Sequence, residues 1–207
     1  MVLSFSEDRR RGVSTARREL AGKDSARHGY VATDYTTFQV AMRQVDVRRD
    51  DVFVDFGSGK GRTLILAADF PFRRIIGVEF DGNLNDLALK NLQRALTAER
   101  LNDIDLIVAD ATAWRIPDEA TVLFFFNPFR GEVLAKVCEN IRRSLAEAPR
   151  KLTIVYVRPE QFFEKEIAWD GWLTRKLEVP CLEGKVAIYE SNALAVSERR
   201  MHAEAGT

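Results

Sequence analysis

Between Asp51 and Thr63 the chain reads D-V-F-V-D-F-G-S-G-K-G-R-T, a short apolar run that ends in a glycine-rich turn. Val52, Phe53, Val54 and Phe56 are β-branched or aromatic, the pattern of a strand covered on both faces. Asp55 interrupts the run near its end, and Gly57, Gly59 and Gly61 follow at alternate positions. Glycine lets the backbone adopt positive φ and lets another molecule approach the main chain where a Cβ would obstruct it. From Arg62 the apolar residues Leu64, Ile65 and Ala68 take up helical spacing, so the turn opens a helix. In an open α/β sheet such a junction, outside the carboxyl ends of the strands, is where ligands bind. Glycines at a strand-to-helix turn also serve tight packing alone, so a second feature has to separate the two readings.

That feature is Glu79. Arg74 to Glu79 reads as a second apolar strand ending in a carboxylate, 24 residues after Asp55. The offset is close to the roughly 20 residues at which a second-strand acid meets a ribose in nucleotide-binding βαβ units. Paired with the glycine turn, the spacing favours ribose binding over a helix-capping or surface acid.

The rest of the chain continues the alternation. Leu84, Ala88, Leu92 and Ala95 mark an amphipathic helix packed on the sheet. Residues 104–108 form a third strand ending at Asp110 and Ala111, where an aspartate is also a common turn former. Residues 121–126 are the most apolar run and should be a central strand, stopped at Asn127-Pro128-Phe129 because proline cannot continue a ladder. Val133, Val137, Ile141 and Leu145 give the next helix, residues 152–157 a fifth strand, and Pro159 opens a helical stretch through Phe163. Residues 173–179 and 185–190 are joined by a connection too short for a helical crossover, so they pair antiparallel. The expectation is a doubly wound, mainly parallel seven-stranded α/β sheet with an antiparallel final strand and helices on both faces.

Residues 1–28 are rich in arginine and poor in apolar side chains, and read as a polar, loosely docked arm or as an electrostatic handle on an acidic partner. Residues 29–191 form the domain, and the polar, alanine-rich residues 192–207 a frayed tail. Within the domain, residues 29–38 are an aromatic and hydroxyl-rich loop before a helix, with Thr36 or Thr37 available as its cap.

Composition narrows the function. Thirty-one basic and 31 acidic residues and a pI near 6.8 give no global field to attract nucleic acid or an anionic membrane. No apolar stretch approaches the ~20 residues that span a bilayer, and Arg9, Arg10 and Arg11 lead into polar sequence, unlike a signal peptide. Cys138 and Cys181 are too few for a disulfide framework, which points to reduced thiols in a cytoplasmic protein. Neither cysteine belongs to a ligand-spaced pair and His28 and His202 lie in the terminal segments, so no metal is expected.

The ordered set D-F-G-S-G-K-G-R, G-V-E-F-D, Asp110-Ala111 and Asn127-Pro128-Phe129 resembles the motifs of the class I S-adenosylmethionine-dependent methyltransferases, over about residues 30–191. Its cofactor half is similar to the non-SET histone-lysine methyltransferases and their small bacterial relatives. The resemblance implies that S-adenosyl-L-methionine is held by Tyr30 and Thr33 of the loop, by Asp55, Gly57, Ser58, Gly59, Gly61, Arg62 and Thr63 of the turn, by Glu79 and Phe80, by Asp110 and Ala111, and by Asn127. Tyr30 and Thr33 match a Tyr-x-x-Thr loop that lies over the cofactor in such enzymes, and residues 30–35 read either as a lid that orders over it or as a packing loop. Asp110 would accept from the adenine amine. Asn127, Pro128 and Phe129 resemble the Asn/Asp-Pro-Pro-aromatic motif of amino-group methyltransferases, which implies an amine acceptor held by the Asn127 carbonyl and faced by the Phe129 ring.

The acceptor class, protein lysine, small molecule or nucleobase, stays open, with neutral charge weighing against nucleic acid. Two other readings compete: a cofactor-binding protein without catalysis, and a dinucleotide-dependent oxidoreductase, whose G-x-G-x-x-G fingerprint differs from the G-x-G-x-G seen here.

Overall fold

A computed structural model describes residues 2–16, 31–159, 161, 163–165 and 171–192. Seven strands form one sheet: β1 (Val52–Phe56), β2 (Arg74–Glu79), β3 (Ile104–Val108), β4 (Val122–Phe126), β5 (Thr153–Val157), β6 (Leu173–Cys181) and β7 (Gly184–Ser191), in the spatial order β3-β2-β1-β4-β5-β7-β6. The first five run parallel, and β7 is inserted antiparallel between β5 and β6. The order reverses between β1 and β4, so the crevice that a doubly wound sheet opens at its switch point lies above Phe56 and Phe126.

Alternate residues of the central strands feed two separate cores. Val54, Phe56, Phe125 and Tyr156 face α6 (Gly131–Glu147), whose Leu134, Val137, Ile141 and Leu145 are buried. Phe53, Phe124 and Val155 face α2 (Tyr35–Met42) and α3 (Arg62–Ala67). The strands are therefore apolar at nearly every position, as the sequence pattern requires for a sheet covered on both sides. Phe124 is fully buried, its ring centroid 5.4 Å from Phe38 and 6.0 Å from Phe53. α4 (Gly82–Ala95) packs beside α3, with Ala88 and Leu92 inward, and a short α5 (Ala98–Leu101), too brief to show a periodic signal in the sequence, comes after it.

Two local expectations change. The cap of α2 is Asp34, whose carboxylate accepts from the N–H groups of Thr36 (2.8 Å) and Thr37 (3.4 Å), so neither threonine caps the helix. The N-terminal residues are no loose arm where they are described: α1 (Val2–Arg11) and residues 13–16 dock on the domain, with Asp8, Val13 and Thr15 buried. One buried acid opposite a buried arginine, Asp8 and Arg62 at 3.0 Å, outweighs the polar composition of the segment. Residues 17–28 and 193–207 lie outside the described residues.

The Phe38–Phe53–Phe124 contact is the centre of the core beneath α2 and α3. Phe124→Ala should cost about 3–5 kcal/mol of stability, measured from the denaturant midpoint. A loss below about 1 kcal/mol, inside the range of ordinary surface changes, would contradict the packing described.

Candidate active site

The glycine turn leaves β1 with three left-handed residues, Gly57 (φ 78°), Gly59 (φ 52°) and Gly61 (φ 79°). At two of the three a side chain would also be crowded. A Cβ on Gly57 would stand 3.0 Å from the Pro128 Cβ, and one on Gly61 would stand 3.1 Å from the Ala88 Cβ. The turn is thus seated against the end of β4 on one side and α4 on the other. Its main chain is pinned to β2: the Gly57 and Ser58 N–H groups donate to the Val78 carbonyl at 2.8 and 3.2 Å.

Glu79 completes the bracing. Its Oε2 accepts from the Gly59 N–H at 2.8 Å, and its Oε1 accepts from the Asp81 N–H at 3.0 Å. A carboxylate offers about four lone-pair sites, so both oxygens retain capacity for ribose hydroxyls while holding the turn. Beside Glu79 two apolar side chains stand in solvent, Phe80 (59% exposed) and Val108 (56% exposed), at the carboxyl ends of β2 and β3. An apolar patch at the rim of a sheet is what a flat aromatic ligand would cover. Motif reading misses Val108, and an isoleucine–valine run ending at a strand rim is its only sequence signal.

Asp55 lies beneath the turn, 3% exposed. Burial pushes its carboxyl up to about 8, and the nearby Glu79 charge adds to the shift, while a side-chain hydrogen bond with Thr63 acts the other way. Thr63 is itself buried. At neutral pH Asp55 is therefore largely protonated.

At the end of β4, Asn127 has a left-handed backbone (φ 40°), and its Oδ1 is buried with no hydrogen-bond donor among the described residues. Ser58 Oγ, in the facing turn, is likewise buried and without a partner among them. Buried polar atoms are nearly always satisfied. The Ser58 hydroxyl lies against Gly77 of β2, whereas the Asn127 amide belongs to the residue directly before Pro128, at the carboxyl end of β4. Arg158, the residue after β5, is also left-handed (φ 56°), so the ends of adjacent strands β4 and β5 depart from strand geometry together.

Several expected site residues make other contacts in the structure. Phe129 is buried in the core cluster that includes Leu134 and Val137. Ala111 is buried in the same core, and its carbonyl accepts from Asn140 Nδ2 at 3.2 Å. Asp110 accepts from the Thr112 N–H and hydroxyl at 2.9 and 2.7 Å, the turn-forming alternative. Arg62 is turned inward, 2% exposed: Nη2 donates to Asp8, Nε to the Thr15 hydroxyl (2.7 Å) and Nη1 to the Thr33 carbonyl (3.0 Å). Tyr30 lies outside the described residues. Residues 33–35 are no free lid, because Thr33 is held by Arg62, the Asp34 N–H donates to Glu183 Oε2 (3.0 Å), and the Tyr35 hydroxyl donates to Asp8 (2.8 Å).

The raised titration of Asp55 sets a pH dependence. Its contribution to stability is complete below the ordinary value of 3.8 and is lost as pH rises through about 8. Asp55→Asn abolishes that titration, so wild type should lose stability relative to the variant across this window in denaturation at a series of pH values. A difference independent of pH would contradict the buried, protonated carboxyl.

Comparison with known proteins agrees with this architecture. Residues 11–130 match the family model "Histone methylation protein DOT1". The chain is 37% identical over 51 residues to the histone-lysine N-methyltransferase, H3 lysine-79 specific, of Drosophila melanogaster, covering 24% of this chain and 3% of that much longer protein. Among solved structures it resembles an RNA methyltransferase from Salinibacter ruber in complex with S-adenosyl-L-homocysteine, at a TM-score of 0.56 and 25% identity over 78% of this chain and 92% of that one. It also shares its fold with a precorrin-6y C5,15-methyltransferase from Geobacter metallireducens, at a TM-score of 0.58 and 15% identity over 84% and 94% of the two chains. Among the described residues no helix is long and apolar enough to cross a membrane. The chain therefore belongs to the DOT1 histone methylation protein family, and its fold is that of the class I S-adenosylmethionine-dependent methyltransferases.

Proposed function

We propose that this protein is an S-adenosylmethionine-dependent methyltransferase acting on an amine, with the side chain of a protein lysine as acceptor, and that Asn127 orients that amine. The observation that carries the reading is the Asn127 Oδ1, a buried acceptor without a donor among the described residues, at the carboxyl end of β4 and directly beyond the Gly57–Pro128 contact. The DOT1 family match and the lysine-specific relative support a lysine, and the balance of 31 basic and 31 acidic residues weighs against an extended phosphate footprint.

The residues present fit the cofactor. The glycine turn offers main chain unobstructed by Cβ atoms, Glu79 keeps lone pairs for two hydroxyls, and Phe80 and Val108 offer apolar cover for a base. S-adenosylmethionine, when bound, supplies a methyl group activated by a sulfonium, with a neutral thioether as leaving group. The protein's task is then alignment and water exclusion, worth on the order of 7–11 kcal/mol when reactants are held in line. An attacking amine must be neutral, with its lone pair aimed at the methyl carbon. An N–H donated to the Asn127 carbonyl fixes that direction and relieves the unsatisfied oxygen in one contact. The strained left-handed backbone at Asn127 is the kind of feature that clusters at working sites.

Asn127→Ala should leave S-adenosylhomocysteine affinity within about a factor of three and lower the transfer rate by roughly 10²-fold, the scale of lost alignment. Incubation with methyl-labelled cofactor and a cell lysate, followed by size separation with protease and ribonuclease arms, identifies the acceptor. Protease-sensitive label that disappears with Asn127→Ala supports the proposal. Ribonuclease-sensitive label would overturn the lysine assignment, and cofactor binding with no label in any fraction would point to a non-catalytic protein.

A further inference from the structure

The N-terminal segment meets the glycine turn through buried polar contacts that the transfer chemistry does not use. Asp8, on α1, is 4% exposed and receives five donors. Its Oδ1 accepts from the Thr15 hydroxyl (2.7 Å), the Tyr35 hydroxyl (2.8 Å) and Arg62 Nη2 (3.0 Å). Its Oδ2 accepts from the N–H groups of Thr15 (2.5 Å) and Ala16 (2.7 Å). The Arg62 guanidinium also lies over the Tyr35 ring, 4.7 Å from its centroid. Arg62 is the first residue of α3 and comes directly after Gly61, so this cluster grips the exit of the turn.

A second link reaches the turn separately. Asn91, buried on α4, accepts from the Ser14 N–H through Oδ1 (3.0 Å) and donates through Nδ2 to the carbonyl of Lys60, inside the turn (3.0 Å). Residues 14–16 thus touch the turn through Asn91 at Lys60 and through Arg62 at its end. The same cluster holds the Thr33 carbonyl, so loop, turn and N-terminal segment are joined in one network.

We propose that Asp8 is a positioning residue for the cofactor site: it holds residues 13–16 against the glycine turn, so that docking of the N-terminal segment and binding of the cofactor are energetically coupled. The proposal rests on the glycine turn being the cofactor's seat. With Asp8 docked, Arg62 has a buried anion and the turn has one conformation. With the segment undocked, Arg62 is left with an uncompensated charge in an apolar setting, a costly state that it relieves by moving and taking the adjoining glycines with it. Three glycines at alternate positions offer little resistance to such movement. Coupling of this kind is reciprocal: if undocking weakens the cofactor by some factor, the cofactor must strengthen docking by the same factor. A partner that captures α1 by its outward arginines, among them Arg10 at 71% side-chain exposure, would thereby tune cofactor affinity from outside the active site.

The test measures S-adenosylhomocysteine affinity by calorimetry and amide exchange at Thr15 and Ala16, whose N–H groups donate to Asp8, with and without that ligand. Asp8→Asn should weaken S-adenosylhomocysteine roughly fivefold or more, and in wild type the ligand should slow exchange of those two amides by a similar factor. Leu145→Ala, a core substitution on the opposite face of the sheet, controls for general destabilisation and should leave ligand affinity unchanged. If Asp8→Asn does not fold, Thr15→Val, which removes one donor from Asp8 and the acceptor of Arg62 Nε, should weaken binding in the same direction. Affinity within twofold of wild type in a folded variant, or exchange at Thr15 and Ala16 indifferent to ligand, would overturn the coupling. Wild type that fails to bind S-adenosylhomocysteine at all would instead overturn the cofactor seat on which it rests.

Discussion

The hydrogen bond from the Gly59 N–H to the Glu79 carboxylate, 2.8 Å long, joins the ends of β1 and β2 and gives the glycine turn its shape. A turn with three left-handed glycines has many conformations available to it and few side-chain contacts to choose among them. Glu79 selects one. The same carboxylate turns the Asp81 N–H inward at the start of α4, so the acid that a ribose would meet also organises the elements around it. Beneath the turn, burial keeps Asp55 largely neutral.

From that turn the site extends in two directions. Toward β4, Gly57 lies against Pro128, where a side chain would be crowded and, at positive φ, strained. Toward the N-terminus, Arg62 and Asn91 carry the turn's position into α1 and residues 13–16. The first contact sets the end of β4 against the glycine turn. The second makes the geometry of the seat depend on α1, nearly all of which precedes the residues matched by the family.

Much of the fold is legible in the sequence because apolar runs of five or six residues, each ended by glycine, aspartate or proline, can hardly be anything but strands of a sheet covered on both faces. The short β6–β7 connection implies the antiparallel end by length alone. Glu79 and Asn127 are legible because each ends such a run or comes directly after it. Arg62 reads as a ligand-facing cation in the sequence and turns inward in the structure, since its partner Asp8 lies far upstream in a stretch whose neighbouring arginines hide the one acid that points inward. The burial of Phe129 with the α6 core is not legible in the motif, because spacing does not say which way a ring turns after a proline. Asn91 carries a signal that motif reading passes over: a polar residue next to Leu92 on the apolar face of α4 needs partners, and its partners are the turn and the N-terminal segment.

The proposal that Glu79 and the glycine turn together seat S-adenosylmethionine underlies every other role assigned to the site. Calorimetric titration of wild type and Glu79→Ala with S-adenosylhomocysteine, with NADH as the competing ligand, tests it directly. Loss of a charge-assisted acceptor worth ~1.5–3 kcal/mol should weaken S-adenosylhomocysteine at least tenfold in the folded variant, and wild type should prefer it to NADH. Unchanged affinity in folded Glu79→Ala, or tighter binding of NADH, would contradict the account.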